Sequence, residues 1–113
     1  MPILRPPILC LVTDHGACCG RPLEEVVGLA LSAGVGLVQL RARELPARQL
    51  LEVGRGLLGL VRSAGAYLVV NDRLDVALAL GADGVHLGTG SLPVNGVRRM
   101  VGNRMLVGAS VHS

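Results

Sequence analysis

Residues 65–88 read GAYLVVNDRLDVALALGADGVHLG. Gly65 opens the stretch, an apolar run follows from Tyr67 to Val70, and the polar pair Asn71 and Asp72 closes it. A segment with helical spacing comes next, and Gly81 then precedes a second apolar run, Gly84 to Leu87. The same rhythm recurs where Gly34 precedes LVQL and where Gly102 precedes MLVG. Each glycine follows a helical segment and reads as the residue just past a helix end, where a positive φ is free of steric cost only for glycine. The apolar runs are short, continuous rather than alternating, and rich in Val, Leu and Ile. Strands read this way when both faces are buried, as in a parallel sheet covered by helices.

Working outward, helices are expected at Leu23 to Ala33, Ala47 to Ser63, Asp72 to Leu80 and Pro93 to Val101. In the first, Val26, Val27, Leu29, Ala30 and Ala33 form an apolar face; in the second, Leu50, Leu51, Val53, Leu57, Leu58, Leu60 and Val61 do so. Pro22, Pro46 and Pro93 stand near helix starts, where a missing N–H costs nothing. Strands are expected at Ile8–Thr13, Leu37–Leu40, Tyr67–Val70, Gly84–Leu87 and Leu106–Gly108. Alternation of strand and helix means an α/β fold, either doubly wound or a barrel. Polar residues decide between them. Asp14, Gln39 with Arg41, Asn71 with Asp72, His86, and Ser110 with His112 all fall at or beyond strand C-terminal ends, the active-site side of a TIM barrel. A doubly wound sheet concentrates its site at one switch point, and neither a G-x-G-x-x-G nor a P-loop pattern is present. A full (β/α)8 barrel takes about 200–250 residues, whereas this chain has 113. The expected fold is therefore an incomplete (β/α)8 TIM barrel of about four and a half βα units, one partial domain over residues 1–113 with its C-terminal half absent.

Half of the residues are apolar, and the net charge is +3. All 11 basic residues are arginine, so Schiff-base and nucleophilic-lysine mechanisms are excluded. Tyr67 is the sole aromatic residue, which argues against modules that stack nucleic-acid bases. A small positive charge from scattered arginines reads as a mildly basic soluble protein. The opening MPILRPPILCLVTD lacks a secretory cleavage pattern, and no apolar stretch is long enough to span a bilayer. Three cysteines, with Cys18 and Cys19 adjacent, make no disulfide framework, so the expected setting is the cytoplasm. His15 and these cysteines make a poor zinc site, because adjacent cysteines chelate one ion badly and no second pair follows.

The candidate site residues each carry a plainer alternative. Asp72 suits a magnesium ion that bridges phosphate oxygens; the alternative is a cap on the following helix, with Asp75 favourable to its dipole. Gln39, Arg41 and Arg43 alternate along an extended segment and share one face. Guanidinium groups beside an amide suit phosphate or diphosphate. A surface ion pair with Glu44 or Glu52 explains Arg43 as well, but not Arg41, which closes an otherwise apolar strand. His86 suits general acid–base work or a hydrogen-bonded core position. Ser110 and His112 share a face beyond the last strand. Gly88-Thr89-Gly90-Ser91 either cradles an anion with backbone N–H groups or is a plain loop with Ser91 capping the next helix.

LVTD at 11–14, VQLRARE at 38–44, VNDRLDVALALGADGVHLG at 70–88, SLPV at 91–94 and VGASVHS at 107–113 together resemble the thiamine-phosphate synthase / thiazole tautomerase (TenI) family of TIM barrels. The resemblance runs along nearly the whole chain and is most specific from Asn71 to Gly88. It implies action on hydroxyethylthiazole phosphate, with phosphorylated thiazole and pyrimidine compounds as partners and neither nucleic acid nor membrane. It further implies that Gln39 and Arg41 contact a pyrimidine diphosphate, with Arg43 standing where a lysine is usual. Asn71 matches a pyrimidine or substrate contact, with His86 and Ser110 beside the substrate, and Asp72 matches a magnesium ligand of the synthase. The synthase's second carboxylate, in the family pattern H-x-G-Q-x-D, falls at Ser91, and a hydroxyl there weakens a hard-cation site. The SLPV and SVHS segments look more like the tautomerase branch, in which His112 is the proton shuttle and no cofactor is needed. That branch is the first expectation, with the magnesium-dependent synthase, which joins hydroxymethylpyrimidine diphosphate to thiazole phosphate, as the alternative. A non-catalytic ligand-binding half-barrel and an unrelated α/β phosphate-binding protein are the other readings. Open edges on the first and last strands predict a homo-oligomer or poor solubility.

Overall fold

The computed structural model describes residues 9–14, 22–42, 44–88 and 92–109. Strands β1 (Cys10–Asp14), β2 (Leu37–Arg41), β3 (Tyr67–Asn71), β4 (Gly84–Leu87) and β5 (Leu106–Ala109) alternate with helices α1 (Leu23–Ser32), α2 (Ala47–Ser63), α3 (Leu74–Leu80) and α4 (Val94–Val101). All pairings are parallel and the sheet runs in chain order, β1-β2-β3-β4-β5. A doubly wound sheet reverses its strand order at a switch point. This one never does, which selects the barrel type of winding.

The side-chain alternation of each strand sorts the sheet into two faces. Val38 and Leu40, Leu68 and Val70, and Val85 and Leu87 point to the helices and join Val27, Leu50, Leu57, Val61 and Val97 in one core. The opposite, inner face carries Gln39 and Arg41 on β2, Tyr67 and Asn71 on β3, and His86 on β4. Val69, buried yet outside the helix-side cluster, belongs to that inner face. On α2 the buried stripe is Leu50, Gly54, Leu57 and Val61, at steps of four and three. It is narrower than the sequence pattern suggests: Leu60 is exposed, as is Leu29 on α1. Gly54 permits the close approach of α2 to its neighbours, since a Cβ there would lie 2.7 Å from Leu80 Cδ2 and 3.5 Å from Leu40 Cδ2.

Glycines that precede the strands do have positive φ, at 105° for Gly34, 72° for Gly65, 72° for Gly81 and 58° for Gly102. After α1, the Gly34 N–H reaches Leu31 O and the Val35 N–H reaches Ala30 O; Gly65 and Ala66 repeat this on Arg62 and Val61 after α2. These are Schellman closures, in which the left-handed residue lets the chain satisfy the last carbonyls. Helix α4 ends differently. Arg98 donates to Gly102 O and Met105 O, and Arg104 donates to Val101 O and Met100 O. Arg62 likewise donates to Gly81 O beyond α3. Several arginines of this lysine-free chain are therefore caps for carbonyls rather than anion binders.

Strands β2, β3 and β5 extend one residue further than the apolar runs suggest, so Arg41 and Asn71 are strand residues. Among the described residues, no helix is long and apolar enough to cross a membrane.

Candidate active site

Parallel strands in chain order bring all their C-terminal ends to one rim. Arg41 ends β2, Asn71 ends β3, and His86 stands one residue before the end of β4. Register sets them side by side, with Asn71 opposite His86 and, one strand on, His86 opposite Gly108. Across β2 and β3, Asn71 Nδ2 donates to Gln39 Oε1 at 2.9 Å. That bond uses one N–H of Asn71 and leaves its carbonyl oxygen as acceptor and the Gln39 amide N–H groups as donors. Two amides locked in this way present a fixed donor–acceptor pattern, which suits a planar heterocycle with ring nitrogens.

The backbone under the pair is fixed from the β1 side. The buried Thr13 hydroxyl donates to Gln39 O at 3.1 Å. Sequence reading did not single out Thr13, although a polar residue inside an apolar strand is the signal that marks it.

Asp72 departs from expectation. It does not occupy the cap of α3, since that position falls to Arg73, which makes no side-chain cap bond, and the helix starts only at Leu74. Asp72 instead has φ +66°, the only positive value at a non-glycine among the described residues. This conformation costs an L residue roughly 1 kcal/mol, less for Asp, whose short side chain bonds locally. Neighbouring bonds hold it there. Asp72 N–H donates to His86 O at 2.7 Å, extending the β3–β4 ladder past the strand end, and Arg73 N–H turns back to Asn71 O at 2.7 Å. Strain kept at a strand end beside a polar cluster is a mark of a functional position. The Asp72 side chain is exposed and offers a carboxylate at the rim.

Arg41 is half-buried on the same inner face. Among the described residues the ion pair is Arg73–Asp75 at 3.1 Å, and Arg41 takes no part in one. Asp75 does lie in the first turn of α3, as expected. Pro93 holds the cap position of α4. Arg43, Ser91, Ser110 and His112, with His15, Cys18 and Cys19, lie outside the described residues.

Gly108 is a second residue that sequence reading missed. A Cβ there would lie 2.8 Å from His86 Nδ1, so the imidazole rests over a glycine of the next strand. A glycine inside an apolar strand is the available signal. Asp83, within the most distinctive stretch, belongs to the other end of the sheet. Its carboxylate accepts from Leu68 N–H at 2.8 Å and its backbone bonds Leu68 O and Leu106 N, a role in holding β3, β4 and β5 together. An apolar cleft of about 450 Å³, lined by Asp72, Leu78, Leu92 and Met100 among others, opens in the helix layer between α3 and α4 rather than over the inner face. No group of three or more His, Cys, Asp or Glu side chains able to hold a metal occurs among the described residues.

Comparison with known proteins adds a consistent result. A family model described as thiamine monophosphate synthase matches residues 9–113. The thiamine-phosphate synthase of Solidesulfovibrio magneticus is 50% identical over 105 residues, which is 93% of this chain and 50% of that protein. The thiamine-phosphate synthase of a Roseiflexus species is 46% identical over 104 residues, 92% of this chain and 44% of that one. A solved structure, the thiamine phosphate pyrophosphorylase from Pyrococcus furiosus, superposes with a TM-score of 0.85 at 37% identity, covering 94% of this chain and 50% of that chain. The chain spans about half the length of the curated relatives it matches.

Proposed function

The chain belongs to the thiamine monophosphate synthase family, and from that premise we propose that its strand-end cluster is the pyrimidine-diphosphate portion of a thiamine-phosphate synthase site. Hydroxymethylpyrimidine diphosphate is joined to hydroxyethylthiazole phosphate, and diphosphate leaves. The carrying observation is the Asn71–Gln39 amide pair next to the guanidinium of Arg41, which forms no ion pair among the described residues. The amides hold the pyrimidine ring through its nitrogens, and Arg41, with Arg43 beyond it, steadies the diphosphate as it takes up the bonding electrons. A preorganised cation near a departing anion lowers the barrier because charge develops there during the reaction.

Asp72 fits a magnesium ion that arrives with the diphosphate, since Mg²⁺ commonly takes one or two carboxylates plus substrate phosphates. When bound, such an ion neutralises phosphate charge. Ser91 supplies no second carboxylate, so the site depends on Asp72 and the substrate's own oxygens. Relatives that carry the synthase name support this reading over the tautomerase branch, toward which Ser91 and the SVHS segment lean.

Calorimetry with hydroxymethylpyrimidine diphosphate and Mg²⁺ tests the proposal. Binding is expected, with Arg41→Ala weakening it about ten- to a hundredfold, the value of a charge-assisted hydrogen bond. Adding hydroxyethylthiazole phosphate is expected to release diphosphate only when Mg²⁺ is present. Isomerisation of a thiazole carboxylate phosphate without metal, and no affinity for the pyrimidine diphosphate, would return the assignment to the tautomerase branch. Binding without turnover would support the non-catalytic reading.

A further inference from the structure

Thr13 on β1 is 4% exposed, the buried polar residue among those described. Leu11, two residues earlier on the same face, packs against the helix-side core, where Val38 and Leu40 of the neighbouring strand are fully buried. Valine has nearly the same shape as threonine and lacks the hydroxyl. A hydroxyl in apolar surroundings is costly unless it is hydrogen-bonded, so the partner it finds is informative. That partner is the backbone carbonyl of Gln39, 3.1 Å away and 26 positions on in the chain. Gln39 is therefore held twice. Thr13 takes its carbonyl from the helix side, and on the inner face Asn71 Nδ2 donates to its Oε1 at 2.9 Å.

The two constraints act on different parts of the residue. A carbonyl held by a second strand fixes its peptide plane, and with it the direction in which the side chain leaves β2. The Asn71 bond fixes only the far end, and three side-chain torsions lie between the two. Among the described residues β1 pairs with β2 alone, with Val12 opposite Gln39, so the hydroxyl adds a bond where the sheet has fewest. We propose that Thr13 is a positioning residue: its hydroxyl, by holding the Gln39 carbonyl, keeps the Gln39 amide directed at a ligand over Asn71. Thr13 lies behind the sheet and touches no ligand itself. The proposal rests on the reading of the strand-end cluster as the pyrimidine-diphosphate site.

The test uses the full chain and two variants that separate the hydroxyl from the methyl. In the wild-type protein a slowly exchanging Thr13 hydroxyl proton is expected by NMR. Free exchange with solvent would overturn the proposal without any variant having to fold. Thr13→Val keeps the shape and removes the donor. It is expected to retain the far-UV circular dichroism and to move the Asn71 side-chain resonances toward those of an unbonded amide. Affinity for hydroxymethylpyrimidine diphosphate is expected to fall about three- to tenfold, the worth of one hydrogen bond. Thr13→Ser keeps the donor and loses a buried methyl. It is expected to lower the urea midpoint while retaining the wild-type resonances and affinity. A threonine that only supports the fold would leave affinity per folded molecule unchanged in both variants; that result, or an equal loss in both, would overturn the proposal. In a Gln39→Ala background, Thr13→Val is expected to cause no further loss of affinity, and a full loss there would show that Thr13 acts elsewhere. If Thr13→Val moves the Asn71 resonances but the wild type does not bind the pyrimidine diphosphate, the substrate-site reading fails while the hold of Thr13 on Gln39 stands.

Discussion

Asn71 donates through Nδ2 to Gln39 Oε1 at 2.9 Å, across strands whose residues are 32 positions apart in the chain. The bond joins two half-buried amides on the inner face. Replacing either residue with Leu is expected to cost about 0.5–1.5 kcal/mol, and the double variant less than the sum, because the second change removes a group already left unpaired. Urea denaturation of the four proteins reads this directly. Gln39→Glu keeps an acceptor toward Asn71 and removes both N–H donors. Stability is therefore expected to hold while pyrimidine-diphosphate affinity falls; equal affinity would show that Gln39 does not face the ligand.

Asp72 separates strain from function. Asp72→Gly removes the cost of φ +66° but loosens the unfolded chain, and these effects offset to within about 0.5 kcal/mol. Asp72→Ala has no such relief and is expected to lose up to about 1 kcal/mol. Both variants are expected to abolish the magnesium dependence of diphosphate binding. If magnesium still strengthens binding to Asp72→Gly, the carboxylate is not the metal contact.

Asp83 is predicted to be purely structural. Its carboxylate satisfies the N–H of the fully buried Leu68. Asp83→Ala is expected to destabilise by about 1–3 kcal/mol, the cost of an orphaned buried donor. Ligand affinity per folded molecule is expected to remain unchanged, measured by calorimetry well below the unfolding midpoint.

The Arg73 guanidinium donates to both carboxylate oxygens of Asp75, at 3.2 Å and 3.1 Å, and holds that carboxyl below the ordinary range. A depressed folded-state value means the pair stabilises the fold above the unfolded Asp value, about 3.9, and that this contribution disappears as pH falls through the lower folded value. The side chains are 33% and 63% exposed, so solvent screening limits the effect to well under about 1 kcal/mol. Thermal midpoints of wild type and Asp75→Asn are expected to differ slightly near neutrality, converge in acid, and converge in high salt. A persistent gap in acid would assign the difference to helix capping instead.

Among the described residues β1 pairs with β2 alone and β5 with β4 alone, and Leu9 and Val12 near the β1 edge are exposed. Exposed strand edges with apolar flanks recruit further strands. We propose that the isolated chain self-associates through these edges. Sedimentation velocity is expected to show dimers or larger species, and Val12→Lys to shift them toward monomer. A monodisperse wild-type monomer with cooperative unfolding would contradict this.

Much of the fold is legible in the sequence. Helix α2 was readable to its end residues because one apolar stripe runs its whole length. The exits after Gly34 and Gly65 were legible because a left-handed residue is a local steric demand. What periodicity overstated was the width of the buried faces: Leu60 and Leu29 are apolar but point to solvent, because composition does not say which direction a neighbouring element lies. The Asp72 cap failed for a related reason. A cap depends on the path of the backbone, and here a bond from Asp72 N–H to His86 O, on another strand, sets that path.

By itself the sequence determined the alternation of parallel-type strands and helices, the glycine exits, and the delivery of Gln39, Arg41, Asn71, Asp72 and His86 to one rim, because burial periodicity and turn sterics are properties of adjacent residues. Only the tertiary structure decided the unbroken strand order, the Asn71–Gln39 bond, the left-handed Asp72 and the seat of His86 over Gly108. Each of these depends on register between strands distant in the chain, where shifting one strand by a single residue would turn every one of its side chains to the other face.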